Sequence, residues 1–298
     1  MDSKTIAKIA QIASALEVSG YPKPGNVHRT RDFEDMEFED FIISGIVIGD
    51  TIEEATSKVD KNNLQNARLG KYILDAVKET DKWIANNTNL GIVMMITPIA
   101  CGAAISDDFS QVRQNMSALM KATTVEDAVD LYDAINIADA GGMGDQDEYD
   151  VASENAKEEL RANKQTMFDV LEISAPWDRL ANEMTNGMSV VFELGYPTYH
   201  DLRKTKKSSD ACVLTFLTIL SEVPDTLISR KYGDKKASEV STQAKELLEF
   251  RDDDDFADKL KEFDDYLYAN KLNPGTTADL VAASIFVSYL NQISKFSF

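Results

Sequence analysis

The sequence is poor in the residues that staple or metallate small folds. Two cysteines and two histidines occur in 298 residues; Cys101 and Cys212 stand singly in apolar helical patterns, and there is no CxxC pair. This argues against a disulfide framework and against a structural transition-metal site. The cysteines read as small buried hydrophobes in a reducing compartment. Positive charge is scarce as well, with 31 basic against 51 acidic side chains and a net charge of −20. A nucleic-acid or anionic-membrane surface needs the opposite balance, so neither partner is expected, and the acidity itself reads as solubility. Long apolar runs are also missing. The longest, LGIVMMITPIACGAAI from Leu90 to Ile105, falls short of the roughly 20 residues of a spanning helix and carries Pro98, so it predicts a helix buried at the centre of a globular fold. The opening MDSKTIAKIAQIASALEV lacks the features of an export or transit peptide, and a cytoplasmic protein is expected.

What is present is helical periodicity. Ile6, Ile9, Ile12, Ala13 and Leu16 stripe one helix face, and similar patterns cover about 38–58, 64–86, 89–105, 110–121, 124–138, 150–173, 178–195, 208–222, 235–251, 255–269 and 276–294. Thr123 and Glu126 have capping-box spacing ahead of EDAVDLYDAI. No segment alternates with period two, and VVFEL near 190 is too short to count as a strand. The fold class is therefore all-α. Without a linker, fixed-period repeat or low-complexity tail, residues 1–298 form a single domain; RDDDDF near 251 reads as a solvated turn.

Chemistry concentrates where helices break: EVSGYPKPGNVHRTRDFEDM (17–36), NNTNLG (86–91), GGMGDQDEYD (141–150), SSDAC with DTLISRKYG (208–233), and NPGTTADL (273–280). In the first, Pro22 and Pro24 fix φ and Gly25 permits a turn, giving a rigid loop that presents Lys23, Asn26, His28 and Arg29. Lysine with arginine suits a polyphosphate, while the plainer reading is a helix terminator with exposed charges. The acids that follow, Asp35 among them, are ordinary at a helix start, but beside phosphate they are what Mg2+ requires. In the fifth, Thr276 or Thr277 can cap a helix with Asp279 expected in its first turn; Ser208, Ser209 and Asp210 repeat the arrangement. A helix N-terminus draws phosphate, and an aspartate there repels it unless a cation intervenes. Either aspartate alone is also an ordinary N-terminal charge. GGMGD follows no predicted strand and fits neither the dinucleotide nor the P-loop spacing. Arg230 and Lys231 either bind an anion or decorate a helix C-terminus.

These five segments, in this order and spacing, resemble the triphosphoribosyl-dephospho-CoA synthase family, and the pattern looks closer to its archaeal branch. The resemblance implies an all-helical enzyme that transfers the triphosphoribosyl group of ATP to the 2′-hydroxyl of 3′-dephospho-CoA and releases adenine. It implies a site lined by Lys23, Gly25, Asp35, Asn87, Thr88, Gly91, Asp145, Asp210, Arg230, Gly275 and Asp279. The bacterial pattern continues PKPGLVD and has NTHKG; here His28 replaces the aspartate, and Asn89 and Leu90 replace a histidine and a lysine. Phe33 stands where that pattern has a histidine.

On this resemblance Asp35, Asp210 and Asp279 are expected to bind Mg2+ on the triphosphate. Lys23, Arg29 and Arg230, with Lys231 beside them, would grip its oxygens. Asp145 is the expected general base. His28 is either an acid toward adenine or a structural histidine, and Asp35 is also expected to be catalytic. His200 reads as structural. The partners are ATP and dephospho-CoA, or another alcohol such as a methanopterin-pathway intermediate, and a homodimer is allowed. The rival classes are a glycosidase with water as acceptor and a non-catalytic ATP-binding protein.

Overall fold

A computed structural model of the chain describes residues 1–84, 86, 88–139, 151, 153 and 155–294. Among them are fifteen α-helices and no β-strand. The N-terminal half holds α1 (Ser3–Val18), α2 (Phe38–Lys58), α3 (Leu69–Asp81), α4 (Leu90–Ala104), α5 (Val112–Lys121) and α6 (Val125–Ile137). Short helices follow: α7 (Ala156–Asn163), α8 (Met167–Ser174), α9 (Arg179–Asn186) and α10 (Tyr196–Leu202). The remainder is α11 (Ser208–Glu222), α12 (Thr226–Tyr232), α13 (Asp234–Glu249), α14 (Phe256–Ala269) and α15 (Gly275–Ser294).

Two helices that are apolar nearly all round sit in the middle, as that pattern requires. α4 is buried from Leu90 to Ala103 except at Gly91, Pro98 included, and α15 buries Leu280, Val281, Ala282, Ala283, Ile285, Phe286 and Val287. They pack on each other; α1, α2, α3, α5 and α9 surround α4, while α1, α10 and α11 surround α15. Each large apolar side chain so enclosed contributes about 1.5–3 kcal/mol. Crossing these two helices at the centre brings their N-terminal ends together, and that junction positions the site. No single described helix is long and apolar enough to cross a membrane.

Several expectations shift in detail. The capping box forms one residue later, between Thr124 and Asp127: Thr124 Oγ1 accepts from Asp127 N (3.3 Å) and Asp127 Oδ2 accepts from Thr124 N (2.8 Å). Thr123 Oγ1 instead accepts from Phe168 N at 3.0 Å, tying α6 to α8. The pattern at 150–173 divides into α7 and α8, because Lys164 turns left-handed (φ 55°) and Thr166 with Asp169 begins a new capping box. The pattern at 64–86 starts instead with a 3-10 turn, Leu64–Ala67, before the left-handed Arg68. The pattern at 178–195 breaks at Gly187 (φ 79°), and Val190–Gly195 is a π-helical turn leading into α10. The cysteines are buried and free, and burial pushes both thiols up to about 12, so neither serves as a nucleophile.

Candidate active site

Gly91, in the first turn of α4, lies against Asp279, in the second turn of α15. A Cβ on Gly91 would fall 2.1 Å from Asp279 Oδ2 and 2.4 Å from its Cγ. Only a residue with no side chain admits the carboxylate there. Asp279 forms part of a cleft of about 390 Å3 bounded by the starts of α4, α9 and α15, by α12, by the last turn of α1 and by the loop between α1 and α2. Helix N-termini carry partial positive charge, so three of them around one cavity favour an anion.

Two acids hold this junction in register. Asp178 starts α9, its Oδ1 accepting from Leu180 N (2.8 Å) and Ala181 N (3.1 Å), and its Oδ2 accepts from Arg230 Nη1 at 2.7 Å. Asp225 caps α12 through Leu227 N and Ile228 N, and also accepts from the N–H (2.7 Å) and hydroxyl (2.8 Å) of Thr277 in α15. These contacts fix Arg230 and Asp279 relative to one another. Arg230 Nε and Thr88 Oγ1, both buried, have no hydrogen-bond partner among the described residues.

No described group donates a hydrogen bond to Asp279. Its pKa is raised well above the ordinary carboxylate value, first by burial and then by Glu17, Asp225 and Asp178, with Arg230 opposing. Among the described residues five carboxylates line the cleft, those of Glu17, Asp35, Asp139, Asp178 and Asp279, against the cations Arg230 and Lys231. Lys23 neutralises Glu17 and Arg230 neutralises Asp178, which leaves Asp35, Asp139 and Asp279 without a salt bridge among the described residues. The cleft is also lined by the apolar side chains of Phe41, Ile135, Leu171, Leu180 and Trp177. A smaller cavity of about 180 Å3 adjoins at Asp35, Met36, Asn89 and Asp139.

The PKPG loop works differently from its sequence-based expectation. Lys23 is fully buried and does not line the cleft; its ammonium is ion-paired with Glu17 and donates to Asn26 Oδ1 at 2.7 Å. Asn26 Nδ2 donates to Asn273 Oδ1 (2.8 Å), fastening the loop to the turn before α15. Gly25 (φ 70°) donates its N–H to Asp264 Oδ1 at 2.9 Å, and a Cβ there would lie 2.4 Å from the Leu272 carbonyl oxygen. His28, 1% exposed, meets Asp264 Oδ2 through Nε2 at 3.2 Å, the structural alternative. Arg29 grips the Ser19 carbonyl (2.6 Å) on the surface.

Of the expected site residues, the cleft gathers Asp35, Thr88, Gly91, Arg230, Lys231, Gly275 and Asp279. It does not gather Lys23, Gly25, His28, Arg29 or Asp210; Asp210 is exposed on α11. Asn87 and Asp145 lie outside the described residues. Asp35, on the rim, and Asp279 share the cleft while Asp210 does not, and among the described residues no group of three or more Asp, Glu, His or Cys is assembled to hold a metal. Glu17 and Asp178 were missed. Pro176 ahead of Asp178 is the helix-start signal that marks the second; nothing local marks the first, whose partner and cleft come from distant turns.

The chain resembles known proteins at two levels. The family model described as ATP:dephospho-CoA triphosphoribosyl transferase (CitG) matches residues 3–298. A crystal structure from Archaeoglobus fulgidus, provisionally described as a triphosphoribosyl-dephospho-CoA synthase, superposes with a TM-score of 0.65 at 19% identity. The match covers 84% of this chain and 98% of that one, and shares the fold. A search of curated proteins finds no match. The all-helical fold, the order of the five turns and a family match over nearly the whole length agree: the chain belongs to the ATP:dephospho-CoA triphosphoribosyl transferase family, enzymes that move the triphosphoribosyl group of ATP to dephospho-CoA.

Proposed function

We propose that the cleft seats the ATP triphosphate between the starts of α4 and α15, beside Asp279, and presents ribose C1′ to the acceptor hydroxyl. One observation carries this reading: Asp279, a carboxylate with no hydrogen-bond donor among the described residues, shares a cavity with Arg230 and Thr88, whose Nε and Oγ1 likewise have no partner among them. Buried polar groups are almost always satisfied, so such a set awaits a ligand that accepts from the donors and offsets the acid.

The residues fit a divalent cation carried in on the substrate. Mg2+ takes one or two carboxylates together with phosphate oxygens, and Asp279, with Asp35 on the rim, supplies that number; when bound it would neutralise charge on the triphosphate. Arg230, held by Asp178, directs its remaining N–H groups at phosphate oxygens, and Lys231 adds a point charge. Thr88 donates its hydroxyl. Replacing adenine by an alcohol at C1′ passes through an oxocarbenium-like state, which nearby carboxylates stabilise. The apolar side chains of Phe41, Leu171, Leu180 and Trp177 exclude water, which would otherwise compete as acceptor. Asp145, expected from the sequence as the base, lies outside the described residues and takes no part in this reading. A cytoplasmic location goes with it, since the nucleotide substrate is intracellular.

The test is adenine release from ATP, with and without dephospho-CoA and with Mg2+ or EDTA, followed by mass analysis of the products. The reading predicts adenine equimolar with a triphosphoribosyl adduct of dephospho-CoA, abolished by EDTA. Bound ATP with no adenine under any condition contradicts it, and free triphosphoribose would make water the acceptor.

A further inference from the structure

Glu17, in the last turn of α1, is 2% exposed and lines the cleft. Its Oε1 takes the ammonium of Lys23, itself fully buried and held by Asn26. No described group donates a hydrogen bond to the other carboxylate oxygen. A buried ion pair is expensive to desolvate, and apolar residues of similar volume generally fold as well or better. A pair in which one oxygen is tied down and the other has no described donor, on a residue that lines the cleft, therefore points to use of the second oxygen.

We propose that Glu17 is a further catalytic residue, the base that takes the proton of the acceptor hydroxyl, and that Lys23 is a positioning residue acting through it. This rests on the reading of the cleft as the ATP site. The step balances as follows: the hydroxyl oxygen bonds to C1′ while its proton passes to Glu17. The C1′–N bond breaks, and its electron pair leaves with adenine, which takes a proton from water. Glu17 returns its proton to solvent, so the net transfer is one proton from acceptor to adenine. The charged and titratable groups around Glu17 are Lys23 from the loop, Asp279 from α15 and Cys212 from α11. Burial outweighs Lys23 and leaves the Glu17 pKa raised, which makes it a better base near neutrality than a free carboxylate.

The experiment compares wild type, E17Q, K23M and the double variant E17Q/K23M by thermal melting, ATP binding and adenine release. Loss of a general base predicts that kcat for E17Q falls by about 100-fold or more with ATP affinity little changed. K23M is expected to melt early. The double variant, with no unpaired charge, is expected to recover its melt and ATP binding while remaining as slow as E17Q. Near-normal turnover of E17Q, or recovery of turnover along with the fold in the double variant, overturns the proposal and makes the pair structural. A wild-type protein that releases no adenine overturns the reading of the cleft, and this proposal with it. Wild-type turnover with an active E17Q overturns only the role of Glu17.

Discussion

Gly91 and Asp279 stand so close that a methyl group on the first would overlap the carboxylate of the second, 2.1 Å from Oδ2. Gly91→Ala therefore leaves both helices formed but displaces the acid. Overpacking of this kind costs about 1–3 kcal/mol of stability, and a shift of roughly 1 Å in a reacting group costs on the order of 100-fold in rate. Melting curves beside adenine-release kinetics check this: a small loss of stability with a large loss of kcat is expected.

Arg230 is the guanidinium that lines the cleft, with a nitrogen that has no partner among the described residues while Asp178 holds its other end. Removing it takes away charge-assisted hydrogen bonds of about 1.5–3 kcal/mol, so Arg230→Gln raises KM for ATP by about 10- to 100-fold. Asp178 still caps α9 in that variant, so the melting temperature moves little. Arg230→Lys restores only part of the affinity, because a point charge does not reproduce the guanidinium fork. Titration of initial rates against ATP measures both.

The Lys23–Glu17 pair makes a stability prediction separate from catalysis. Lys23→Met removes the counter-ion of the buried Glu17 carboxyl, a change that costs about 3–5 kcal/mol. The melting temperature should drop by on the order of 10 °C. Removing both charges in the double variant should recover most of this, read by thermal or denaturant unfolding.

Asp279 also predicts a pH dependence. Its pKa in the folded protein is raised above the ordinary 3.8, so the native state binds the proton more tightly than the unfolded chain. The contribution to stability is full below the unfolded value and is lost as pH rises through the folded one. Asp279→Asn removes that loss: the variant gains stability over wild type at neutral pH but not near pH 4, and it is inactive. Denaturant unfolding at the two pH values measures the difference.

The architecture was largely legible because helical periodicity is a local property. α2 and α11 coincide with their patterns at 38–58 and 208–222. The seven-residue helices α10 and α12 are absent from the periodic patterns because periodicity needs a window of about 11–18 residues to declare itself, and α12 was hinted at only by the cations at its end. The division between α7 and α8 rests on a lysine in a left-handed conformation, with no glycine or proline to announce it. At the site, turn motifs pointed to Gly91, Arg230 and Asp279, which stand in the first turn of α4, the last turn of α12 and the second turn of α15, because helix ends can be seen in the chain. The partnerships could not be seen. His28 meets Asp264 across 236 residues and Arg230 meets Asp178 across 52, so the sequence showed neither that the histidine is buried against an acid outside the cleft nor that a distant acid orients the arginine. Lys23 looked like a phosphate ligand because burial is invisible in sequence; its work is to hold Glu17 in place.

The claim on which the rest depends is that the ATP triphosphate lies in the cleft against Asp279 and Arg230. A crystal structure with ATP and Mn2+ in place of Mg2+ tests it directly through the anomalous signal of the metal. The account predicts a manganese ion coordinated by Asp279 and phosphate oxygens, with Arg230 contacting the triphosphate. Nucleotide and metal bound elsewhere, with the Asp279 carboxylate untouched, would contradict it.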